Sequence, residues 1–123
     1  MRLAKAAFPR ECCGLIEGFT EADQFRATRL HPARNLADAP DRFEIDPADQ
    51  FAAAKSARLR GTAIIGCYHS HPDGEPKPSN TDLARAGEEN FLWLIAATDG
   101  ANCRLAGYIY RASGFVGVTL GAD

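Results

Sequence analysis

The sequence predicts an α/β fold of the α+β kind, with one mixed β-sheet of about five or six strands flanked by two or three helices. Three observations carry this prediction. "TAIIGCY" (62–68) is an unbroken apolar run, the pattern of a strand buried on both faces. "DPADQFAAAKSARLRG" (46–61) reads as a helix with both ends marked. "FLWLIAAT", "CRLAGYIY" and "GFVGVTL" then follow as strand-like runs separated by Gly-containing turns.

Taken in order, residues 2–8 read as a short helix that stops at Pro9. "CGLIEGF" and "FRATRLH" are the first two strands, and residues 32–45 are irregular, with Pro32, Asn35, Pro40 and scattered charges. Asp46 can cap the next helix, Pro47 occupies its first turn, and Gly61 is placed to stop it. After the central strand comes a Pro-rich loop, then a second helix over "SNTDLARAGEEN" (79–90). No strand is expected ahead of the first helix, which leaves an edge of the sheet open or paired with another molecule.

A chain of 123 residues matches one domain, so residues 1–123 are read as one unit. A net charge of −2 argues against a nucleic-acid binder held by phosphate contacts. The densest basic cluster, Lys55, Arg58 and Arg60, falls near a helix end, where cations complement the dipole and a solvated face is expected. No apolar run approaches the ~20 residues that cross a bilayer, and "MRLAKAAF" has no signal-peptide core, so a cytoplasmic location is expected. Cys12, Cys13, Cys67 and Cys103 form no C-x-x-C and read as buried small apolar residues.

The chemistry concentrates in "HSHPDGEPKPSNTD", His69 to Asp82. If the strand runs on through the histidines, the pleat sends His69 and His71 to one face, with Cα atoms roughly 6.6 Å apart. Two imidazoles at that spacing can converge on one ion with bonds of about 2.0–2.1 Å. Asp82 is the nearest well-placed carboxylate for a third ligand, and the intervening prolines would fix the loop that returns it. Two His and one carboxylate leave a fourth position open, as in catalytic zinc sites. The competing reading is plain. H-x-H alone is a weak signal, and Ser79-x-x-Asp82 is also a capping box, whose carboxylate would have to choose between its helix and an ion.

The whole string resembles the signature of the JAMM (MPN-plus) metalloprotease family: H-x-H-P, a Pro-rich loop, P-S-x-x-D. The family's upstream P-x-E-x-x-G-x-x-x-G is matched by Pro9, Glu11, Gly14 and Gly18 in "PRECCGLIEG". "NLADAPDRFEIDPADQF" is similar to the segment that bacterial members carry before their first long helix. The resemblance implies an MPN/cytidine-deaminase-like architecture and one Zn2+ per chain held by His69, His71 and Asp82. It also implies Glu11 as general base and Ser79 as the hydroxyl that stabilises the oxyanion. Small bacterial relatives trim residues beyond the Gly-Gly of ubiquitin-like sulfur-carrier proteins, so a carrier tail is the implied partner. Members acting on ubiquitin chains carry insertions around the cleft. Here only eight residues separate Asp82 from Phe91, and only "TDGAN" joins two later strands, which points away from ubiquitin itself.

Other readings are a RadC-like DNA-associated protein, a catalytically silent MPN interaction module, and a two-His-one-carboxylate iron oxygenase. His-Ser-His and the acidic balance oppose the first, the intact ligand set the second, and the helices the third. Cys67 shares the histidines' strand face and is read as a packed core thiol rather than a nucleophile. His31, before Pro32, is read as an exposed loop residue.

Overall fold

The computed structural model describes residues 11–21, 24–37, 43–72, 74–99 and 101–121. The helix expected over residues 2–8 lies outside them. The elements in chain order are β1 (Cys13–Glu21), β2 (Gln24–Ala33), α1 (Pro47–Leu59), β3 (Ala63–Pro72), α2 (Asn80–Arg85), β4 (Phe91–Thr98), β5 (Cys103–Arg111) and β6 (Gly114–Val118). The strands form one six-stranded sheet in the order β2-β1-β3-β4-β5-β6. Among the described residues only β3 and β4 pair in parallel; the other strand pairs are antiparallel. A parallel pair cannot be closed by a tight turn. The 73–90 crossover therefore exists by topology, and it carries the candidate site.

β3 lies inside the sheet, and Ile65–Ser70 are all buried. This is why the sequence there reads as a continuous apolar run rather than an alternation. On one face Cys13, Leu15, Phe43, Ala53, Cys67 and Trp93 form a core cluster. On the other, Ile16, Ile65, Tyr68, Leu92 and Ile109 form a second. Helix α1 joins the first cluster through Ala53, and Ala57 is fully buried, so small side chains let the helix lie close to the sheet.

Both ends of α1 follow the chemistry read from the sequence. Asp46 Oδ1 accepts the Ala48 N–H at 2.9 Å, and Pro47 stands at the first helical position. Gly61 has φ +75°, the left-handed conformation glycine supplies without strain. Gly14 and Gly18 are required by close approach. A Cβ on Gly14 would collide with the Tyr68 hydroxyl, and one on Gly18 with the Arg26 carbonyl, beside an irregularity in the β1–β2 register.

Several boundaries differ from the sequence reading: β1 runs two residues further, to Glu21, and β6 stops two residues earlier, at Val118. β3 does not end before the histidines but continues through Pro72. β2 extends through His31 and Pro32 to Ala33; as an edge strand it tolerates a residue that lacks an N–H. α2 ends at Arg85 instead of running to residue 90. Ala86 turns extended at φ −68°, ψ 129°, and the Arg85 guanidinium donates to the Phe43 carbonyl at 2.5 Å, fixing the helix end against the 43–45 segment.

Candidate metal centre

His69 and His71 lie two residues apart on β3 and share a face, as the strand period requires. Asp82 arrives from α2, where it is the third residue and 3% exposed. Three ligand-type atoms converge. The Nε2 atoms of His69 and His71 are 2.9 Å apart, and Asp82 Oδ2 lies 3.1 Å from the first and 3.2 Å from the second. Tetrahedral zinc with bonds of about 2.0–2.1 Å places its ligand atoms roughly 3.3 Å apart. The observed triangle is slightly tighter, so the three residues fit such an ion as three of its four ligands.

The histidine rings are held from behind. His71 Nδ1 donates to the Glu75 carbonyl at 3.1 Å, which keeps the proton on Nδ1 and aims the Nε2 lone pair into the cluster. His69 is fully buried, stacked on Phe43 at 4.3 Å and 20°, with the Trp93 ring edge-on at 5.7 Å. Its Nδ1 meets no hydrogen-bond partner among the described residues.

The capping box and the cluster share one oxygen. Ser79 Oγ accepts the Asp82 N–H at 3.0 Å, while Asp82 Oδ2 accepts the Ser79 N–H at 2.9 Å and faces both histidines. The choice expected of this carboxylate between helix and ion does not arise, because β3 and the start of α2 come together at that atom. The Ser79 hydroxyl proton is left available for another acceptor.

Glu11 sits just ahead of β1 and is 3% exposed. Its carboxylate, His69 and His71 offer ligand atoms that all lie within 4.8 Å of one another. The backbone around it is clamped from two sides. Cys12 donates its N–H to Ser70 Oγ at 2.7 Å and accepts the Ser70 N–H at 3.0 Å; Asn35 Nδ2 donates to the Glu11 carbonyl at 2.9 Å. Asn35 Oδ1 meanwhile accepts the N–H groups of Ala37 and Glu44 at 2.9 Å each, carrying the clamp towards Phe43.

The electrostatics suit a cation. Burial pushes Asp82 up, but the hydrogen bonds to His69 and His71 and the Ser79 N–H outweigh it and hold the carboxyl well below its usual range. Burial pushes His69 down, against the opposing pull of Asp82, and so favours its neutral imidazole. His71 is also pushed down by burial, but Asp82 and the Glu75 carbonyl prevail and raise it.

Residues 1–106 match the model of the prokaryotic homologs of the JAB domain. The chain belongs to that family. This JAB-domain chain is 36% identical over 93 residues to a desampylase of Haloferax volcanii, covering 75% of this chain and 66% of the relative. It is 27% identical over 95 residues to a CysO-cysteine peptidase of Mycobacterium tuberculosis, covering 77% and 64% respectively. The chain thus spans at most about two thirds of those relatives. A solution structure of a Desulfitobacterium hafniense protein superposes with a TM-score of 0.84 at 29% identity, covering 95% of this chain and 81% of the other.

All five residues singled out from the sequence fall in one neighbourhood. Cys67 does not act with them. It is 4% exposed among Leu15, Phe43, Ala53 and Trp93, and burial pushes its thiol far up, away from thiolate. His31 is not an exposed loop residue. It lies on β2 with Nε2 2.7 Å from Glu17 Oε1 and a side chain 19% exposed. Arg60 is likewise more than a solvated cation, since it holds Glu17 through two hydrogen bonds, at 2.9 and 2.6 Å. Asn35, Phe43, Ser70 and Glu75 were not foreseen as supports. Asn35 alone carried a signal, as a turn-forming residue within the segment shared with bacterial members.

Proposed function

We propose that residues 1–123 act as one cytoplasmic catalytic domain, a zinc metallopeptidase that cleaves after the Gly-Gly of a ubiquitin-like or sulfur-carrier protein. The observation that carries this reading is the convergence of His69, His71 and Asp82 within 3.2 Å, with Glu11 buried beside them. His69, His71 and Asp82 hold the ion. When bound, zinc supplies Lewis acidity, polarising a carbonyl and lowering the pKa of water towards ~7.

The chain's own residues do the rest. Glu11 takes a proton from the attacking water and passes it to the departing amine. The clamp fixes the backbone from which that carboxylate extends. Ser79 donates its free hydroxyl proton to the carbonyl oxygen as negative charge develops there. The capping box fixes the position of that hydroxyl, so no rotamer has to be ordered during the reaction. Gly-Gly suits the site because two glycines let a backbone approach closely. The names of the desampylase and the CysO-cysteine peptidase support carriers of this class.

Mass spectrometry of several carriers extended beyond Gly-Gly tests the proposal. The zinc-loaded protein should shorten at least one carrier to Gly-Gly, and Glu11→Gln should leave it intact. If the wild type changes no carrier mass, the reading is wrong.

A further inference from the structure

A second row of residues crosses the sheet beside the metal centre. His71 is in register with Ala97 on β4, and Ala97 with Arg104 on β5. Residues in register share a face, so Arg104 points to the same side as His71, two strand spacings or ~10 Å away at Cα. Ala97 between them is small and, with Gly74, Thr98, Asp99, Asn102 and Arg104, lines a cavity of about 250 Å³. Gly74 also borders His71: a Cβ on it would come within 3.2 Å of His71 Cβ, so one wall of the cavity adjoins the strand end that carries His71.

Arg104 is the cation of this lining and is exposed there. Among the described residues, the carboxylates around it are engaged elsewhere. Asp99 Oδ1 accepts the N–H groups of Ala101 and Asn102 at 2.9 and 2.7 Å, and Glu75, which feels the Arg104 charge, pairs with Lys77 at 2.9 Å. The volume falls below the ~300–1,000 Å³ of drug-sized ligand sites. It suits a group of amino-acid size and excludes a folded domain.

We propose that Arg104 binds the free C-terminal carboxylate of the one or two residues released by cleavage, making the enzyme selective for short α-linked tails. The inference rests on the peptidase reading. Before cleavage, a free α-carboxylate exists only on the leaving side of the scissile bond, never on the Gly-Gly side. An extended chain advances ~3.3–3.6 Å per residue, so the carboxylate of a one- or two-residue tail falls in the interval between His71 and Arg104. A guanidinium offers that carboxylate a paired hydrogen bond that a lysine-linked partner protein would not satisfy.

The test compares two forms of one substrate: a Gly-Gly-ending sulfur carrier extended by a single alanine, with the alanine as free acid or as amide. The zinc-loaded wild type should cleave the acid about tenfold better than the amide in kcat/KM, the size of one charge-assisted contact at an accessible site. Arg104→Ala should bring the acid-to-amide ratio to about one, and Arg104→Lys should retain part of it. This ratio is insensitive to a general loss of folded protein. Equal rates on acid and amide by the wild type, or a preference surviving in Arg104→Ala, overturns the inference while leaving the peptidase reading intact. Failure to cleave either form overturns both.

Discussion

At Asp82 a single carboxylate oxygen faces the Ser79 N–H and two imidazole nitrogens, all between 2.9 and 3.2 Å. A helix start is thereby used as a jig: the capping box sets the carboxylate's position before any ion arrives. Ser79 caps the helix and, in the proposed mechanism, also faces the oxyanion; the two duties can be separated by measurement. Ser79→Ala removes an N-cap, worth typically ~1 kcal/mol of stability. In the proposed mechanism it also removes a donor to the developing oxyanion, worth roughly 10²–10³ in kcat. Denaturant midpoints and turnover on a tailed carrier should therefore both fall, turnover by far more than the stability loss explains. A normal kcat with a lowered midpoint would leave Ser79 a cap only.

Elements, in turn, are held in register by polar groups that the hydrophobic pattern does not announce. Glu17 on β1 is 1% exposed and receives Arg60 from the end of α1, Thr62 from the approach to β3 at 2.6 Å, and His31 from β2. The Arg60 and Thr62 hydrogen bonds, with His31, hold its carboxyl far below the usual range against the opposing pull of burial. A carboxyl lowered on folding adds stability above its unfolded pKa of ~4.3 and loses it as pH falls through that value towards the folded pKa. Melting temperatures between about pH 6 and pH 3 should therefore drop more steeply for the wild type than for Glu17→Gln. Parallel curves would contradict the clasp. The 74–78 loop is tied similarly, by the Tyr108 hydroxyl donating to the Pro76 carbonyl at 2.7 Å, one residue from the carbonyl that orients His71. Tyr108→Phe should cost about 1 kcal/mol in stability, the net value of one hydrogen bond, yet release zinc to a chelator faster than the wild type. Unchanged release would detach the loop from the metal centre.

For the whole molecule, one six-stranded sheet brings together Glu11 from just ahead of β1, the histidines from the C-terminal half of β3, and Asp82 from the crossover that the parallel β3–β4 pair demands. Much of this was legible in the sequence because local rules govern it. The unbroken apolar run marked β3, Asp46-Pro47 and Gly61 marked α1, and H-x-H with S-x-x-D marked the residues that converge, His69, His71 and Asp82. Where reading failed, contacts distant in sequence decide the structure. α2 looked longer because "LARAGEEN" is a good helix sequence, but Arg85 is held by Phe43, 42 residues away. His31 looked like a loop residue because Pro32 follows it, and only the pairing of β1 with β2 brings it to Glu17. Phe43 and Asn35 gave no periodic signal, since their roles depend on a chain path that no spacing encodes.

Elemental analysis of wild type and Asp82→Ala, purified without added metal, asks whether His69, His71 and Asp82 hold one zinc. About one zinc per wild-type chain and a marked loss in the variant are expected, because a folded donor set is what binds the ion. A metal-free wild type, with Asp82→Ala costing only the ~1 kcal/mol of a weakened helix start, would contradict zinc binding there.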